Sequence, residues 1–106
     1  MEYKSFRELV GERKHEFCEK LFMDVEYNRD GDVVREGLTL LLALDDSEVL
    51  TSDDVERIEA KNTPLEKKYR LLEFLCRRPN TDTIKIFEAF RISKQSELVD
   101  FLLETN

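Results

Sequence analysis

Oxygen donors are most regularly spaced in this chain between Glu26 and Asp32. Glu26, Asn28, Asp30 and Asp32 alternate, Gly31 takes the sixth place of the pattern and Val33 the eighth. A helix–loop–helix calcium site presents its oxygens in this order, with glycine at the sharp turn. Such a loop also needs a bidentate carboxylate at its twelfth place, and here that residue is Gly37, with Glu36 one position early. The first ligand is Glu rather than Asp, and no second loop of the kind follows. An acidic, glycine-bearing connection between helices accounts for the stretch better, and a calcium-binding helical regulator using residues 26–36 is the lesser alternative.

Nucleophilic or acid–base chemistry needs a base with oriented partners. His15 is the only histidine, and it lies among Arg13, Lys14 and Glu16 in a charged stretch that reads as a solvated surface. Cys18 and Cys76 lack metal-ligand spacing, and no glycine-rich phosphate loop occurs. No catalytic residue, metal site or cofactor is expected, so the chain reads as a binder and not as an enzyme. Both cysteines sit inside apolar helical patterns, where they act as small buried hydrophobes of a reducing compartment. Without a signal sequence or a bilayer-length apolar run, the expected place is the cytoplasm, with no membrane partner.

Charge carries more information. The net charge of −7 argues against a general nucleic-acid binder, which must neutralise phosphates. The charges are also segregated. Residues 45–59 hold Asp45, Asp46, Glu48, Asp53, Asp54, Glu56 and Glu59 against Arg57, a net of −6. Residues 67–78 hold Lys67, Lys68, Arg70, Arg77 and Arg78 against Glu73, a net of +4.

The elements that position these charges follow from apolar periodicity. The chain of 106 residues fits one domain, with a core over about 5–104, and its three Gly and two Pro leave few turns of the all-β kind. Helical spacing predicts six helices and requires no strand. The first opens at the capping box Ser5 to Glu8 and carries Phe6, Leu9, Val10, Phe17, Cys18 and Leu21 inward. Gly11 lies within it, where glycine costs about 1 kcal/mol relative to alanine, so a kink or a close helix contact is expected there.

The second helix is expected over Asp32 to Leu44, apolar on nearly every side and therefore central. The third opens at Thr51 or Ser52 with Val55 and Ile58 inward. The fourth has Thr63 as N-cap, Pro64 in its first turn and Glu66 completing a capping box, and it ends before Pro79. The fifth carries Ile84, Phe87 and Phe90, and the sixth Leu98, Val99, Leu102 and Leu103.

On the fourth helix, at about 100° per residue, Leu65, Tyr69, Leu71, Leu72, Leu75 and Cys76 share one broad face. Lys67, Arg70, Arg77 and Arg78 share the other, Phe74 lies among them, and Lys68 projects from the apolar side. This reads as a basic patch with Phe74 as an aromatic anchor. The acidic segment is its complement. Opposite patches on one domain allow head-to-tail pairing, which propagates into oligomers or filaments.

The run Val49, Leu50, Thr51, Ser52, Asp53, Asp54, Val55, Glu56, Arg57, Ile58 resembles a segment of the caspase recruitment domains (CARDs) of the death-domain superfamily. The spacing continues through Thr63, Lys67, Lys68, Leu71, Leu72, Leu75, Ile86, Phe87 and Phe90 and closes over Leu98 to Leu102. The resemblance implies an all-α, six-helix antiparallel Greek-key bundle with a bent first helix. It implies homotypic contacts with another CARD protein, or with a second copy, in apoptotic or innate-immune signalling.

In that family a basic surface on helices one and four meets an acidic surface on helices two and three. The matching basic positions are Lys67, Arg70, Arg77 and Arg78, with Arg13 or Lys14. The acidic ones are Asp45, Asp46, Glu48, Asp53, Asp54 and Glu56. Residues 24–31 depart from the pattern as a longer acidic connection. A death-effector domain would carry an Arg-x-Asp-Leu motif and a death domain a late tryptophan. Neither is present, and another death-fold adaptor is the alternative.

Overall fold

Seven α-helices follow one another in the computed structural model, which describes residues 4–23, 26–35 and 37–104. They are α1 (Phe6–Val10), α2 (Lys14–Lys20), α3 (Gly37–Asp46), α4 (Ser52–Glu59), α5 (Pro64–Cys76), α6 (Thr83–Ile92) and α7 (Ser96–Glu104). A 3-10 turn over Asn80–Asp82 leads into α6, and a two-stranded ribbon, β1 (Glu26–Tyr27) with β2 (Val33–Arg35), separates α2 from α3. The fold class is all-α. The Cα radius of gyration, 13.2 Å, is that of one packed domain of about this length.

The first expected helix is two. Gly11 adopts φ +51°, ψ −127°, a conformation open to glycine and strained for residues with a Cβ, and the chain re-enters helix at Lys14. Ser5 caps α1, its Oγ accepting from the Glu8 amide at 3.3 Å. Every residue expected to face inward across the break is buried: Phe6, Leu9, Val10, Phe17, Cys18 and Leu21. The Phe17 ring meets Phe6 of α1 edge-on at 5.3 Å and Phe90 of α6 at 5.9 Å, so aromatic packing joins both halves to the far side of the core.

The ribbon corrects the expectation of a strandless chain and of a helix beginning at Asp32. The Asn28 side-chain Oδ1 accepts from the amides of Asp30 and Asp32, both at 2.9 Å, and Gly31 takes φ +85°. This side chain–backbone turn competes with helix. Val33 and Val34, β-branched, follow it in an extended conformation. Glu26 lies opposite Arg35 and Tyr27 opposite Val33, so the pairing is irregular between them.

The later helices begin where their caps predict. Thr51 Oγ1 accepts from the Asp54 amide and Asp54 accepts from the Thr51 amide, both at 3.1 Å. Thr63 Oγ1 accepts from the Glu66 amide at 3.1 Å, whereas the Glu66 carboxylate reaches Asn62 N and not Thr63, leaving that box half made. Leu40, Leu41 and Leu44 of α3 are buried, but Leu42 is 50% exposed, so α3 is one-sided rather than enclosed. Ile84 also points outward, and Ile86, Phe87 and Phe90 carry the buried face of α6. The long α5 packs against α1, α2 and α4, while α3 packs on α6.

A polar clamp closes the back of the bundle. Lys94 takes φ +62° after α6, which lets Gln95 N donate to Phe90 O at 2.7 Å. The Gln95 side chain is then fully buried. It accepts from Phe22 N at 2.7 Å and donates to Phe22 O at 3.0 Å, copying a strand pairing between the α6–α7 turn and the segment leaving α2. Removing one partner of such a pair leaves its mate unsatisfied. Gln95→Ala is expected to cost about 1–3 kcal/mol in urea unfolding and to speed exchange of the Phe22 amide. A change below about 0.5 kcal/mol would show that water satisfies the segment instead.

Candidate interaction surfaces

The charged residues divide by what already holds them. Arg13, expected in the basic patch, is part of the interior framework: its guanidinium donates to Phe101 O at 3.2 Å and lies 4.1 Å from the Phe101 ring. It satisfies a carbonyl in the last turn of α7. Arg78 donates from Nε to Asp82 Oδ2 at 2.7 Å, and the Asp82 side chain is only 10% exposed. That ion pair fixes the turn between α5 and α6. Neither arginine presents a free charge.

Arg70 pairs with Glu73 at 2.7 Å, and Lys67 approaches Glu59 at 3.9 Å. Phe74 is not an exposed anchor. It is 8% exposed, with Arg70 4.7 Å and Arg77 5.8 Å above its ring. Stacked guanidiniums cover an aromatic face that the helical wheel places outward.

A different set of cations remains. Arg7 of α1, Lys14 of α2 and Arg77 at the end of α5 line one cleft of about 430 Å³, together with Tyr69, Leu72, Glu73 and Cys76. None of these three cations has a carboxylate within 4.0 Å among the described residues, whereas Glu73 is taken by Arg70. Lys14 and Arg77 belong to the residues expected from sequence. Arg7 does not, because its neighbours in the chain carry no basic run and only the packing of α1 on α5 delivers it to the cleft.

The cleft's field registers on Cys76: burial pushes its thiol pKa up, and Lys14 and then Arg7 pull it partly back. Burial also raises Cys18, opposed by Lys68 and reinforced by Cys76. At the rim, His15 bridges Glu19 (Nε2 to Oε1, 2.9 Å) and the Tyr69 hydroxyl (Nδ1 to O, 3.3 Å). This links α2 to α5 at an open surface.

The acidic residues sort in the same way. Asp45 accepts from Ser52 Oγ at 3.2 Å, Asp53 pairs with Arg57 at 3.1 Å, and Asp54 closes the α4 capping box. Asp46, Glu48 and Glu56 are exposed and have no cationic partner within 4.0 Å among the described residues. Glu48 holds φ +66° at the end of α3. That conformation costs a non-glycine residue about 1–2 kcal/mol. Asp46 and Glu48 sit at the α3–α4 corner, and Glu56 lies on α4.

In the loop with calcium-like spacing, Asn28 Oδ1 is committed to two backbone amides, and Glu36 lies outside the described residues. Among the described residues no cluster of His, Cys, Asp and Glu is arranged to hold a metal, and no helix is long and apolar enough to cross a membrane. Comparison with protein-family models, with curated proteins and with solved structures finds no match to this chain.

Two outcomes follow from this geometry. Arg78→Ala leaves the nearly buried Asp82 with only the long contact to Lys85, at 3.9 Å, and is expected to lower unfolding free energy by about 1–3 kcal/mol. Lys14→Ala is expected to stay within about 0.5 kcal/mol of the wild type, since it removes an exposed charge. Urea titration of both variants checks the division into framework and free charges, and equal costs would contradict it.

The thiols set a pH dependence. Their folded pKa values exceed the ordinary value of about 9, so above that pH the unfolded chain releases protons that the folded chain keeps. Their contribution is complete below pH 9 and is lost as pH rises. The double variant Cys18→Ala, Cys76→Ala is expected to show a shallower fall of stability as pH rises above about 9. Parallel curves for variant and wild type would sink the assignment.

Proposed function

We propose that the chain is a protein-binding module of the CARD type, winding its helices as the six-helix Greek key of that family with the first helix broken in two. It acts by homotypic contacts with a second copy or with another CARD protein, in the cytoplasmic assembly of apoptotic or innate-immune signalling complexes. It carries no chemistry of its own.

One observation carries the reading. An uncompensated cationic cleft on α1, α2 and α5 and an uncompensated acidic corner on α3 and α4 coexist on one domain. Intramolecular pairing silences most of the other charges named for either patch, so these two are what a partner meets first. Complementary potentials of this kind govern encounter rate and register more than raw affinity. Two different surfaces that fit each other make a heterologous contact, which extends from copy to copy. The break at Gly11 supports the resemblance to a family with a bent first helix.

Size by light scattering, as concentration and salt are varied, tests the assembly directly. Lys14→Glu, Arg77→Glu and Glu48→Lys are each expected to weaken self-association about tenfold or more, with helical circular dichroism unchanged. Arg70→Glu should act less strongly, because it already faces Glu73. Association of the wild type should weaken as the screening length shrinks from about 10 Å at 0.1 M salt to 3 Å at 1 M. Undiminished association after reversal of both patches would remove this mechanism.

A further inference from the structure

The cationic cleft has more charge than one carboxylate can use. Arg7, Lys14 and Arg77 come from three different elements and have no carboxylate partner among the described residues, in a domain whose net charge is −7. A carboxylate of a docking partner brings a single negative charge. A phosphate monoester brings close to two, and three strong acceptor oxygens. Two arginines and a lysine are suited to that geometry, since guanidinium forks bind phosphate oxygens in pairs. Lys14 and Arg7 both act on the Cys76 sulfur, so their fields meet inside the cleft rather than pointing apart from it.

We propose that this cleft is a receptor for a phosphorylated serine or threonine side chain on a segment of a partner protein, and that such a segment competes there with the homotypic partner. The proposal rests on the reading of the cleft as a binding surface and adds its regulation: phosphorylation of a partner would occupy the cationic half of the contact.

The remaining lining selects a peptide over other phosphate carriers. The Tyr69 ring, 37% exposed above the buried Leu72, offers apolar surface beside the cations, which a peptide backbone and neighbouring side chains cover. At about 430 Å³ the cleft accommodates one phosphorylated side chain with adjoining backbone and not a polymer of phosphates. The overall charge of −7 repels nucleic acid and anionic membrane surfaces, whose affinity comes from many phosphates acting together.

The test is a titration of the 15N-labelled chain carrying Glu48→Lys, chosen because that change lies on the acidic corner and leaves the cleft intact. Three probes are compared: a nine-residue peptide of Ala, Gly and Ser with one central phosphoserine, the same peptide with serine, and inorganic phosphate. The expected result is amide shifts centred on Arg7, Lys14 and Arg77, with the phosphopeptide binding at least tenfold tighter than either other probe.

Lys14→Ala or Arg77→Ala should weaken phosphopeptide binding at least fivefold with the remaining spectrum unchanged, and that spectrum reports that the variant is folded. Equal binding of the phosphorylated and unphosphorylated peptides overturns the proposal. So does inorganic phosphate binding as tightly as the phosphopeptide, or shifts centred elsewhere. Because the acidic corner is already reversed, these outcomes are separate from loss of self-association, which is measured on the wild type.

Discussion

The ring of Phe17 holds the architecture together. It is fully buried, meets Phe6 on the other side of the Gly11 break, and meets Phe90 across the core. A chain that breaks its helix at Gly11 can in principle swing the two halves apart. Packing both against one aromatic cluster removes that freedom and lays α1 and α2 together along α5. The cleft is a consequence. Arg7 rides on the outer side of α1 and Lys14 begins α2, so the geometry that buries Phe6 and Phe17 also brings two cations to the end of α5, where Arg77 waits. Cleft and core are therefore coupled through the same short helices.

Electrostatics adds a second layer of order. The strongest cation contacts of the domain face inward or along its own surface: Arg13 on a carbonyl and ring of α7, Arg78 on Asp82, and Arg70 and Arg77 over Phe74. Each of these covers apolar surface or satisfies a group that would otherwise be costly to bury. The residual charges, Arg7 and Lys14 on one side and Asp46, Glu48 and Glu56 on the other, contribute little to holding the domain together. Exposed charges of this sort are weak as stabilisers and effective as determinants of encounter and register. Under the proposed reading, stability and recognition fall to different members of one charged population. Arg77 alone serves both.

Much of the helical frame was legible in the chain. Ser5, Thr51 and Thr63 announce their helices because a hydroxyl accepting a backbone amide is a local event, needing nothing beyond the next three residues. The apolar period placed most of the core, though Leu103, expected inward, is 37% exposed and Phe74, placed outward, is buried; beyond the first-turn Pro64, no glycine or proline interrupts α4 to α7. The ribbon was not legible as such. Residues 26–31 are dominated by charge and read as a loop, residues 32–35 read as the start of a helix, and the pairing of β1 with β2 follows from the Asn28 side chain turning back on two amides. Leu42 and Ile84 misled for the opposite reason: an apolar residue states a preference for burial, and the number of neighbouring helices limits how many faces can be covered.

The sequence by itself determined the all-α class, the starts of α1, α4 and α5, the glycine at which the first helix breaks and the segregation of acid from base, since all of these rest on residues a few positions apart. Which charges remain free was decided only by tertiary structure. Arg13 and Lys14 are neighbours in the chain with the same charge, yet one is spent on a carbonyl 88 residues away and the other faces an open cleft. Phe74 lies among arginines on a helical wheel and is buried beneath two of them in the fold. A wheel records direction about one helix axis. Whether a long side chain lies down on its neighbours or reaches into solvent depends on what the other helices bring beside it.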